Sequence, residues 1–389
     1  MRPRMRRPIL LLALLAVAVA ACGGPVLANP PVPQPVITPA PAVTPPTPDP
    51  QPVTLPADDA PHDRLTEWWY YTGHLRDETG GRWGFELVIF RAERGSFPVT
   101  WASHLALTDE TGGRFHYAQR AEIGPQVNTA PGVADGFALA IRGLSAASAA
   151  TSTRVPWTMT GGGGTDRLAA SADAAESSGD ASGGFGLALD LATTKPAAFH
   201  DGDGYIEFGP AGGSYYYSRT AMTAAGAITV GDRTLTVDGS AWFDHQWGDF
   251  ISVGAGGWDW FAINLDDGTD ITLSLVRAAD GSFPLVYGTL VDASGGTRRL
   301  DASAFTVKPT GSWTSPATGT TWPAGWTVAL PGEDLVITLK PSVAQQELDT
   351  RATTGVVYWE GSQRVSATRA GKALGGQAYV ELTGYAAGR

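Results

Sequence analysis

The sequence predicts an all-β protein built from two antiparallel, barrel-like units. Three observations carry this. Aromatic residues make up 10% of the chain, glycines number 49 and charged residues only 17%, which suits strands joined by tight turns around apolar interiors. Short runs of bulky apolar residues recur between Asp-Gly and Gly-Gly turns. No helical period of useful length appears, apart from one or two turns near residues 344–349. With 389 residues the chain exceeds one ordinary domain.

Residues 1–21 have the three parts of a secretory signal: an Arg-rich start, an apolar run and small residues at the exit. The run is too short for a comfortable membrane span. Val19-Ala20-Ala21-Cys22 resembles a bacterial lipobox, which implies a lipidated Cys22 and an extracytoplasmic lipoprotein anchored to a membrane. A plain signal peptide that happens to contain a cysteine is the simpler alternative. Residues 22–60 are rich in proline and nearly uncharged at first, and are predicted to be a disordered, polyproline-like linker.

The folded part divides into residues 61–250 and 251–389. In the first, 68–75 and 83–91 flank a DETGG turn as a hairpin, and 101–108 and 114–120 repeat the plan. Runs at 136–141 and 156–160 follow. The low-complexity stretch 161–186 is predicted to be a disordered surface insertion. Strands resume at 185–191, 204–208, 215–222, 227–230 and 234–240. The second unit opens at 257–265 and 270–277, which parallel the first hairpin: Trp68/Trp258, Tyr70/Trp260 and Tyr71/Phe261 fall at equal offsets. We read this as an internal duplication.

Several chemistries lack support. The net charge of −11, with four of the arginines confined to the leader, argues against nucleic acid as a partner. One cysteine precludes an intrachain disulfide, and the six histidines show no HxH or HExxH spacing, so no metal site is expected. No GxSxG elbow or Ser/His/Asp set supports a hydrolase.

Chemistry concentrates instead at 241–249, AWFDHQWGD. Strand alternation puts Phe243, His245 and Trp247 on one face and Trp242, Asp244 and Gln246 on the other. His245 is either a proton-transfer group beside an aromatic plate or a buried histidine tying a strand end to its neighbour. Asp244 braces rather than protonates, since alternation turns it away from His245. Glu67 precedes four bulky aromatics, where desolvation would raise its pKa, or else it caps a strand or pairs with Arg91 or Arg277. Trp69, Tyr71, His104, Tyr216, Trp258 and Trp260 line an apolar ligand cavity or fill a core.

Glu67–Leu75 (EWWYYTGHL) with His62, then HLALT at 104–108, SYYYS at 214–218 and DHQWG at 244–248, resembles the AttH-like / carotenoid 1,2-hydratase family of lipocalin-like proteins. Blocks at 257–261, 313–316, 358–361 and 381–385 extend the likeness over 62–386. The resemblance implies two lipocalin-like β-barrels side by side, no organic cofactor or metal, and an apolar small-molecule ligand of terpenoid or carotenoid type. It implies hydratase chemistry in which His245, Asp244, Trp247 and Glu67 supply base, acid and cation-stabilising faces. Thr272 and Ser274 stand where the family's hydratases carry an acid. A non-catalytic lipid carrier on the same barrels is the competing class. The sequence carries no signal for an oligomeric state.

Overall fold

The computed structural model of the chain describes residues 48–124, 136–143, 154–180, 183–250 and 255–386. The leader, Cys22, the first part of the linker and the stretch 144–153 lie outside those residues. From Pro50 onward the strands form two large antiparallel sheets. The first, of thirteen strands, runs Phe137–Ile141, Trp157–Gly162, Thr165–Ala172, Phe185–Thr193, Gly213–Val230, Arg233–Gly248, Thr66–Asp77, Arg82–Arg94, Phe97–Asp109, Arg114–Ile123, with short strands at its margins. The second, of ten, runs Thr297–Asp301, Leu285–Val291, Asp270–Ala278, Ala255–Leu265, Lys372–Leu382, Val357–Arg369, Leu335–Pro341, Trp326–Leu330, Thr306–Pro309, with Glu347–Asp349 beside it.

Both sheets close in the same way. The strand that comes first in sequence lies between the second and the last, so Thr66–Asp77 pairs with Arg233–Gly248, and Ala255–Leu265 with Lys372–Leu382. This common order supports the duplication. Each sheet curls around its own apolar core, giving two lipocalin-like units. Tyr70 and Trp260, which occupy equal offsets in the two opening hairpins, meet edge to face across the joint, 5.3 Å apart at 86°. Around them Val88, Trp242, Ala262 and Tyr379 complete an apolar patch drawn from both sheets.

Close approach explains one glycine of the opening motif. A Cβ on Gly73 would fall 2.3 Å from the Ser240 carbonyl oxygen and 2.4 Å from the Phe85 ring. Only glycine lets the first strand lie flat against the last at this point.

Three expectations change. The stretch 161–186 is not an insertion: Thr165–Ala172 and the start of Phe185–Thr193 are sheet strands. Gly163 and Gly164, both at positive φ, make the two-residue turn into the first of these. Leu168, Ala170 and Ala172 alternate inward and are buried. Their composition is simple because small side chains suffice there. The linker also ends earlier than residue 60, for Val53 and Leu55 pack on the first core and Asp59 is fully buried. Finally, the region near 344–349 contains the short strand Glu347–Asp349 rather than a helical turn.

Leu168 is fully buried. Leu168→Ala is expected to cost about 2–5 kcal/mol in urea unfolding, as for a core truncation. A surface insertion would leave stability unchanged.

Candidate active site

The strand Arg233–Gly248 lies between Thr66–Asp77 and Gly213–Val230, and its register assembles the site. His245 stands opposite Trp69 on one side and Tyr217 on the other; Trp247 stands opposite Glu67 and Tyr215. Directly paired residues share a face, so all six point into the first curled sheet. One residue along, Asp244 stands between Tyr70 and Ser218, and Gln246 between Trp68 and Tyr216. These face the second sheet. The alternation expected at 241–248 is therefore present, and it separates His245 from Asp244.

On the inner face, one oxygen of Glu67 holds two imidazoles. Glu67 Oε1 accepts hydrogen bonds from His245 Nε2 at 2.9 Å and from His62 Nδ1 at 2.8 Å. The His62 backbone N–H donates to both carboxylate oxygens, at 3.1 and 3.0 Å. His62 Nε2 lies 3.5 Å from Asp58 Oδ1, so the chain Asp58–His62–Glu67–His245 runs from the surface inward. Glu67 and His245 are fully buried, whereas the His62 side chain is 20% exposed. His62 stacks on Trp247 with centroids 4.0 Å apart and planes 1° from parallel. His245 lies between the Trp69 and Trp247 rings, each 4.7 Å away.

The charges follow from this packing. Burial works to raise the Glu67 pKa, but the hydrogen bonds from His245 and His62 outweigh it and hold the carboxyl below its usual range. Glu67 is thus an ionised acceptor, which corrects the expectation that its aromatic surroundings would raise its pKa. It pairs with neither Arg91 nor Arg277, which bind Glu93 and Asp259. Desolvation works to lower the His62 pKa, yet its bonds to Asp58 and Glu67 lift it above the ordinary value. For His245 desolvation prevails over Glu67 and depresses the pKa. The arrangement is a carboxylate at Glu67 between a His62 whose imidazolium form is favoured and a His245 whose neutral form is favoured, with Nε2 carrying the proton toward Glu67. His245 Nδ1 is then a bare lone pair, with no hydrogen-bond partner among the described residues.

His62 and Asp58 come from a strap, residues 50–63, that crosses this part of the core. Asp59 anchors it. Its carboxylate receives Arg219 Nη2 at 2.8 and 2.9 Å, the Tyr217 hydroxyl, and the Gly163 N–H at 2.7 Å. Its carbonyl accepts the Trp69 indole N–H at 3.2 Å. Tyr71 faces the same interior and donates to Asp166 at 3.0 Å. The strap residues were hidden because the proline-rich composition ahead of them blurs where the linker ends. An acid pair and a histidine just before EWWYY were the available signal.

The remaining candidates lie elsewhere. Asp244, Tyr216, Trp260 and His104 occupy the joint between the sheets. Tyr216 donates to Asp244 at 2.7 Å and accepts from the Trp260 indole at 3.0 Å; Trp242 and Ser218 also donate to Asp244. Burial pushes the Asp244 carboxyl up to about 7 against the pull of these donors. Asp244 braces the joint, not His245. His104 bonds Tyr358 and Thr353 across the joint, a satisfied buried histidine. Glu360 accepts from Tyr70 and Glu86 from Tyr358, each linking one sheet to the other. Thr272 and Ser274 are buried beside Ala262 and Trp260 in register, on this same face. Trp258 stands apart, 39% exposed.

The sequence model of the AttH-like family matches residues 46–385. A crystal structure of an AttH from Nitrosomonas europaea is similar, with 31% identity over 86% of this chain and 98% of that one and a TM-score of 0.71. Kievitone hydratase from Nectria haematococca shares the fold at 15% identity, covering 85% of this chain and 93% of the other, with a TM-score of 0.64. Dehydratase asqC of Emericella nidulans is 28% identical over 168 residues, 41% of this chain and 46% of that protein. The chain therefore spans about half the length of that curated relative.

Asp59 and Arg219 form a buried pair. Asp59→Ala strands the guanidinium and should cost about 3–5 kcal/mol in chemical denaturation. At the joint, the folded Asp244 pKa of about 7 exceeds its ordinary 3.8, so its contribution to stability is full below 3.8 and lost as pH rises through 7. Asp244→Asn should gain stability relative to the native chain between pH 4 and 8. A pH-independent difference would show that Asp244 is ionised throughout.

Proposed function

This chain belongs to the AttH-like family, and we propose that it is a hydratase- or dehydratase-type enzyme acting on an extended apolar small molecule of terpenoid or carotenoid-like character. The single observation that supports this most is the sharing of one Glu67 oxygen by His62 and His245 beneath the Trp69 and Trp247 rings. Two of the similar proteins carry names for adding or removing water.

Water removal needs one group to take a proton from carbon and another to give one to the departing hydroxyl; hydration runs the same steps backwards. The His62 imidazolium has a proton to give, and solvent reaches it. His245 has a bare lone pair to receive one. Glu67 stays ionised between them, stabilises whichever ring is charged, and keeps both in orientation. The Trp69 and Trp247 faces favour whichever imidazole carries the positive charge.

The acid is an imidazolium, too weak to protonate an isolated double bond. The site therefore favours a double bond conjugated to a carbonyl, where addition of water passes through an enolate. A second reading has its own observation: Asp244 is a carboxylic acid held near neutrality by burial, linked to Tyr216, Trp242 and Trp260. Protonation of an unactivated alkene would use that group at the joint. Anchoring outside the cytoplasmic membrane through Cys22 also belongs to this proposal, and loss of Cys22→Ser from the membrane fraction would bear on it.

The test offers the protein acyclic carotenoids, polyprenoids and long-chain enones in ¹⁸O-water, with products read by mass spectrometry. The native chain should incorporate ¹⁸O or release water. Glu67→Gln and His245→Gln should each lower kcat by about 10²–10⁴. Loss confined to Asp244→Asn would move the chemistry to the joint. Binding across the panel without turnover would make the protein a carrier and overturn the enzyme reading.

A further inference from the structure

The same cluster has a property that neither spacing nor resemblance indicates. His62, Glu67 and His245 each offer one ligating atom, and the three atoms lie within 4.8 Å of one another. We infer that these side chains bind a divalent first-row metal ion of the zinc type, through His62 Nδ1, Glu67 Oε1 and His245 Nε2.

The donor set is two imidazoles and a carboxylate, which zinc accepts while leaving a further position for water. Strand pairing fixes two of the ligands, since Glu67 and His245 project from adjacent strands next to the paired Trp247 and Trp69. The third arrives on the strap, held by Asp59 three residues earlier. Asp58, 3.5 Å from the far nitrogen of His62, stands where an outer carboxylate orients a metal-bound imidazole. The indoles of Trp69 and Trp247 wall the site, and the exposed edge of His62 gives an ion its way in.

Ligation requires His62 Nδ1 and His245 Nε2 to present lone pairs, so each ring would carry its proton on the far nitrogen: Nε2–H of His62 toward Asp58, and Nδ1–H of His245. This inference rests on the cluster proposed above as the active site, and deepens it: a bound ion would engage the two rings that otherwise serve as acid and base, and would supply an activated water in their stead.

The test uses the full folded chain, stripped with chelator and titrated with Co²⁺ as a spectroscopic stand-in for zinc. One ion per chain, with the intense visible bands of four- or five-coordinate cobalt displaced by Zn²⁺, is the expected result. Glu67→Gln and His245→Gln should weaken binding by more than about 100-fold, and Asp58→Asn by about 10–100-fold. His62→Asn, at the exposed edge, provides the same readout should a buried variant fail to fold. A weak octahedral spectrum that these variants leave unchanged would overturn the inference. Turnover that survives full chelation but falls in Glu67→Gln would sink the metal and leave the acid–base reading standing. A tight cobalt site with no turnover would do the reverse.

Discussion

Strand alternation along Arg233–Gly248 is the constraint from which the rest of this structure follows. Because successive side chains must leave a strand on opposite faces, His245 and Trp247 enter the first curled sheet while Asp244 and Gln246 enter the joint. One strand therefore serves two environments. Inward, it meets Glu67, Trp69 and Tyr217, and a network of charge and indole forms. Outward, its Trp242 and Asp244 meet Tyr216 and Trp260, and a carboxylic acid becomes part of the contact between the two halves. A one-residue slip of register would exchange these sets, which is why flanking pairs on both sides hold it.

The inner cluster shows how opposed terms decide a protonation state. Glu67 is fully buried, and burial alone would leave it a neutral acid. Two imidazole donors reverse that outcome. Protonation is favoured at His62, the ring that also faces Asp58 and solvent. His245, deeper and next to a single carboxylate, is left neutral. The strap makes this possible: its Asp59 fastens to Arg219, Tyr217 and Trp69, and only then does His62 reach Glu67. The cluster and the strap are one construction.

Much of the fold was legible. The faces of 241–248 followed from a period of two, and the duplicated hairpins placed Tyr70 and Trp260 in equivalent positions, where they indeed touch. The pairing of Glu67 with His245 was not legible, because joining the first strand of a sheet to its last leaves no local mark in the chain. The acidity of Glu67 was misjudged for the same reason: desolvation could be read from its aromatic neighbours, whereas His245 is 178 residues away. Asp58 and Asp59 were lost in the composition of the linker, and 161–186 was mistaken for disorder because small, simple residues also line the inside of a curled sheet.

The proton distribution around Glu67 can be observed directly. Long-range ¹H–¹⁵N spectra of the histidine rings in metal-free, ¹⁵N-labelled protein distinguish the imidazolium from each neutral tautomer. Near pH 6.5, His62 should show both ring nitrogens protonated, and His245 the Nε2–H tautomer with an unprotonated Nδ1. A His62 with no proton on Nδ1, or a His245 protonated at Nδ1 alone, would mean that Glu67 does not hold both rings, and would contradict the site as described.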